Sequence, residues 1–132
     1  MGSKTSKRRY ARNTLIMIRA DFSRKGGRLR LIMEGHAEQG EAGRDIVCAA
    51  ASGIFYALAG YLSNFRRESV RIEEVRSGFA DISCDEGGEE AMRLTYIGLL
   101  QIALTYPDYL CVSDGIWRHK VSAPRDIAAE GA

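Results

Sequence analysis

A chain of 132 residues holds one hydrophobic core and excludes two. Its 45% hydrophobic and 27% charged residues are those of an ordinary soluble globular protein. Three cysteines (Cys48, Cys84 and Cys111) form no CxxC pair, and no secretory signal is read at the start, so a disulfide framework is excluded and the cytoplasm is expected.

The net charge of +2 is unevenly distributed, because residues 1–13 hold Lys4, Lys7, Arg8, Arg9 and Arg12 and no acid. These residues read as a disordered basic arm, the one part suited to nucleic acid. The remainder is mildly acidic, which argues against a nucleic-acid reader in its own right.

Thr14 to Asp21 reads as the first strand, with Leu15, Met17 and the later Phe22 as its apolar side. Ser23-Arg24-Lys25-Gly26-Gly27 is turn chemistry, and Leu29 to Gly35 alternates as the partner strand of a hairpin. His36 stands where that strand ends. Ala37 to Arg44 is polar, contains Gly40 and Gly43, and reads as a mobile loop closing over a bound peptide.

Asp45 is expected to cap a helix that continues through Ile46–Phe65, twenty residues without a charge. Such a run has the length of a membrane span, but Ser52, Ser63 and Asn64 interrupt it and no second segment matches it. A helix apolar all round is otherwise buried on both sides. In so small a chain the sheet covers one side and a second subunit the other.

Ser69 to Glu74 and Gly78 to Cys84 form a second strand pair, and Asp85-Glu86-Gly87-Gly88 a turn. Glu89 opens a second helix, with Met92, Tyr96, Leu99 and Ala103 at one helical spacing and Leu94, Ile97 and Leu104 at another. Pro107 ends it, and Tyr109 to Ser113 supplies a short edge strand. The order ββαββα(β) predicts an α+β two-layer domain over residues 14–113, mainly antiparallel, with residues 114–132 as a loosely ordered tail.

Chemistry concentrates between Gly35 and Ser52. With Asp45 as cap, Cys48 falls in the first helical turn, where partial positive charge favours a thiolate. Lowering a cysteine pKa from about 8.5 to 7 requires about 2 kcal/mol. A helix end supplies about 0.3–1 kcal/mol, so a second partner is required, and His36 is the candidate base. Amides at the helix start, that of Cys48 included, are candidates for an oxyanion hole. An inert core position also suits a cysteine among alanines on an apolar helix. Cys84 and Cys111 read as structural and His119 as a surface residue. No metal or cofactor is expected, since neither histidine has a cysteine at finger-like spacing.

The run Gly35-His36-Ala37, then Asp45-Ile46-Val47-Cys48-Ala49-Ala50 and Ser52, resembles the ribosomal-processing cysteine protease (Prp) family. Weaker similarity extends over about residues 14–113. The resemblance implies a homodimeric α+β peptidase that removes an N-terminal extension from large-subunit ribosomal protein twenty-seven. Its catalytic histidine falls on His36 and its catalytic cysteine on Cys48, with Gly35, Asp45 and Ser52 matching supporting or substrate-binding positions. The rival readings are a ribosome-assembly or RNA-binding factor working through the basic arm without proteolysis, and a thiol redox sensor built on Cys48.

Overall fold

Two glycines shape the first hairpin. Gly26 and Gly27 adopt φ of 59° and 80°, the left-handed pair that a two-residue turn requires. The turn closes β1 (Ile18–Lys25) onto β2 (Arg28–Glu34), pairing Lys25 with Arg28 and Phe22 with Leu31. The computed structural model describes residues 17–35 and 42–118. The basic arm 1–13, His36 with the loop through Glu41, His119 and the tail beyond Arg118 lie outside the described residues.

Of the expected first strand Thr14–Asp21, residues 14–16 lie outside the described residues, and the observed strand starts at Ile18 and runs on past Asp21 to Lys25. So tight a turn draws the polar Ser23, Arg24 and Lys25 into the ladder. The core-facing set is Ile18, Ala20 and Phe22, all buried, so of the expected apolar side Phe22 faces the core, Met17 has the opposite parity, and Leu15 lies outside the described residues.

The first helix, α1, spans Ala42–Phe65 and starts three residues before Asp45. Asp45 does not cap it. An acid also suits the interior of a first turn, and alanine and arginine are good helix formers, so the helix extends back over Ala42 and Arg44. The loop expected over Ala37–Arg44 loses its last three residues to this helix.

Val47, Ala51, Phe55, Leu58 and Leu62 make one buried stripe along α1 and pack on the sheet. By length and composition alone, Ile46–Phe65 would cross a membrane. Here only the inner stripe is covered, while Ile46, Tyr56, Tyr61 and Phe65 stay exposed.

β3 (Val70–Arg76) and β4 (Phe79–Cys84) form the second hairpin, turned at Gly78 with φ of 80°. Asp85 then accepts a hydrogen bond from the Gly87 amide at 2.8 Å and starts a short 3-10 turn, Glu86–Gly88. The second helix, α2 (Glu89–Thr105), buries Met92, Tyr96 and Leu99 and leaves Leu94 and Leu104 exposed. β5 (Leu110–Asp114) returns parallel to β1.

The sheet order is β3-β4-β2-β1-β5, antiparallel except for the last pair. Both helices lie on one face, as the α+β two-layer reading requires. The open face is a lattice of paired charges: Arg30 holds Asp81 through two hydrogen bonds of 2.9 and 2.6 Å, and Arg19 lies 3.6 Å from Asp21. Opposite charges offset one another there, so that face is no basic platform for a phosphate backbone.

Past β5, the Asp114 carboxylate accepts hydrogen bonds from the amides of Ile116 and Trp117, each at 2.8 Å. This turn sets the Trp117 ring 5.0 Å from that of Tyr96 and 6.0 Å from that of Phe22.

Candidate active site

At one end of the sheet, β1 begins, β2 ends and the β3–β4 hairpin turns. The stripe of α1 passes above these ends, and a groove of about 420 Å³ opens between them. Cys48, Ser52 and Tyr56 come from α1, one turn apart, so they stand in one row. Met33 and Gly35 close the β2 end, and Val75 with Gly78 forms the hairpin wall.

Three expected site residues, Gly35, Cys48 and Ser52, thus line one groove. Asp45 lies nearly a turn before Cys48 on α1. His36 lies outside the described residues.

Cys48 is half-buried and packs against the core on one side. It is the seventh residue of α1 and so belongs to the second turn, because the helix starts at Ala42. The field of a helix end fades within its first turn, and an amide this far in is already bonded along the helix. Neither helix-end stabilisation of a thiolate nor an oxyanion role for the Cys48 amide therefore follows from this geometry.

Gly35 is placed by necessity. Its φ is 104°, and a Cβ there would stand 2.5 Å from the Met17 carbonyl oxygen. Its amide donates to the Gly78 carbonyl at 3.0 Å, tying the end of β2 to the hairpin turn. The chain therefore leaves β2 in a fixed direction at the rim of the groove.

The other cysteines differ sharply. Cys84 is wholly buried, and burial pushes its thiol up to about 11. Cys111 is exposed on β5, away from the groove. Brief treatment of the native protein with iodoacetamide should therefore alkylate Cys48 and Cys111 and spare Cys84 until the chain is unfolded. Peptide mapping checks this, and native labelling of Cys84 would contradict the buried placement.

Tyr56 and Val75 escaped the sequence reading. For Tyr56 a signal existed, since Cys48, Ser52 and Tyr56 recur every four residues. Val75 reaches the groove only because the second hairpin folds back beside α1, which no local pattern announces.

The family model described as cysteine protease Prp matches residues 17–111. The ribosomal processing cysteine protease Prp of Staphylococcus aureus is 31% identical over 83 residues, covering 60% of this chain and 76% of that protein. A crystal structure of Prp from S. aureus with a substrate peptide superposes with a TM-score of 0.62 at 26% identity, covering 74% of this chain and 99% of that one. A second, with a covalently linked product peptide, gives 0.63 at 25% identity over the same shares. A crystal structure from Streptococcus mutans gives 0.61 at 28% identity, covering 75% and 94%.

Proposed function

This chain belongs to the cysteine protease Prp family, and from that premise we propose that it removes the N-terminal extension of large-subunit ribosomal protein twenty-seven during ribosome maturation. Cys48 is the nucleophile and His36 its base. The observation that carries the reading is that Cys48 and Gly35 line one groove.

In the proposed reaction His36 takes the Cys48 proton and the thiolate attacks the scissile carbonyl. The protonated His36 gives its proton to the leaving amine, and water then hydrolyses the thioester. Ser52 lies one turn beyond Cys48 and supports the bound peptide, and Gly35 directs the chain that carries the base. The experiment is incubation of the protein with the precursor of that ribosomal protein from the same cell. Release of the extension at a single bond is expected; an intact precursor would overturn the substrate assignment.

The same reading makes the protein a cytoplasmic homodimer. Its support is the apolar outer surface of the helical layer, where Tyr61 on α1 and Leu94 on α2 flank a second groove. Sedimentation at micromolar concentration should give roughly twice 14.6 kDa. A strictly monomeric species would sink this part of the account. The basic arm is the candidate for contact with RNA, since charges of both signs offset one another on the described open face of the sheet.

A further inference from the structure

Among the described residues β3 is an edge strand, and past Val70 its apolar side is uncovered. Ile72 and Val75 face the helical side of the sheet, as their β4 partners Ile82 and Ala80 do. Those partners are 0% and 9% exposed, whereas Ile72 and Val75 are 45% and 44% exposed. The helical layer covers β4 and only grazes β3, where Val70 packs against the core while Ile72 and Val75 stay exposed. Tyr56 of α1, also exposed, stands across this seam, and both Tyr56 and Val75 line the groove that holds Cys48. An uncovered apolar seam beside an unpaired strand edge thus runs into the site.

We propose that the peptide substrate binds by strand addition, pairing in extended form with the free edge of β3 at its Glu74–Arg76 end. An extended chain there would lay alternate side chains over Val75 and against Tyr56, and its course would lead to Cys48. Backbone hydrogen bonds supply affinity, and the apolar seam selects every second side chain. The edge is guarded against indiscriminate pairing. A bulge between Ile72 and Glu74 breaks the ladder, and Arg71, Glu73, Glu74 and Arg76 line the strand with both signs of charge. A long flat strand from another copy is disfavoured, while a short peptide beyond the bulge is not.

The inference rests on the peptidase reading, and its test separates the two. Cys48→Ala protein is mixed with the extension peptide spanning the cleavage point or, separately, with an uncleavable peptide of alternating valine and lysine. Amide exchange is followed along β3, and the extension peptide is also scanned with single N-methyl groups. Outward β3 amides should gain at least about tenfold protection. N-methylation should weaken binding about tenfold at alternate positions only, since every second amide of an added strand faces its neighbour. Protection by the valine–lysine peptide alone would uphold strand addition while removing the proposed substrate. Cleavage of the extension by the wild-type protein with β3 exchange unchanged would overturn strand addition and leave the peptidase intact. Failure of both peptides to protect β3 also overturns it, as does an N-methyl scan without alternation.

Discussion

Cys48→Ala is expected to reduce peptide cleavage by more than about a thousandfold, and His36→Ala to do the same. In the proposed reaction the two side chains act as one device, because a thiol without its base is not activated and a base without its thiol has nothing to activate. The double variant should therefore lose no more than either single variant, a non-additivity that independent contributions would not give. Neither change should disturb the fold. Cys48 contributes only part of its surface to the core, and removing a small half-buried thiol is inexpensive compared with emptying a large core site. Cys111→Ala, outside the lining of the groove, should keep wild-type turnover. Steady-state rates with circular dichroism on the same samples check all four variants. Near-normal cleavage by Cys48→Ala would end the proposed chemistry.

Gly35→Ala should damage both stability and activity. A side chain at φ of 104° costs on the order of 1–3 kcal/mol in backbone strain. The new Cβ would also meet the Met17 carbonyl at 2.5 Å, and that atom is backbone, not the end of a flexible side chain. Relief requires β1 and β2 to separate where the groove begins. A fall in melting temperature of roughly 10 °C is expected. Below the transition, kcat should fall more than the bound fraction of enzyme explains, because the chain into His36 leaves β2 in a new direction. A matching change at Gly26, where a Cβ meets nothing within 4 Å, should cost only its backbone strain and leave the rate unchanged. Equal behaviour of the two variants would show that Gly35 has no positional role.

The sequence carries the order of elements because each has its own periodicity and its own stop signals. Both hairpins end in glycine turns, and the spacing of Met92, Tyr96 and Leu99 marks the inner face of α2. Boundaries are less legible, for identifiable reasons. Asp45 looks like a cap because aspartate suits that position, yet it also suits a first turn, and Ala42 tips the balance. That shift of four residues, from Ile46 to Ala42 as the first helical position, moves Cys48 into the second turn and removes the electrostatic help expected from the helix end. The parity of β1 is hidden too, since Leu15 and Met17 are as apolar as the Ile18, Ala20 and Phe22 that face the core. Gly35 stands out only as the neighbour of His36; its close approach to Met17 is a tertiary fact. Trp117 has no periodic partner at all, and its place against Phe22 and Tyr96 depends on the Asp114 turn.

In the proposed reaction a peptide bond is broken through a thioester on Cys48. Wild-type protein and the precursor of the ribosomal protein, mixed and quenched in acid during turnover, allow that species to be weighed directly. A fraction of the enzyme should be heavier by the released extension less one water, with the added mass mapping to the segment that contains Cys48. Mass on Cys111 or Cys84, or continued cleavage by Cys48→Ala with no adduct formed, would contradict it.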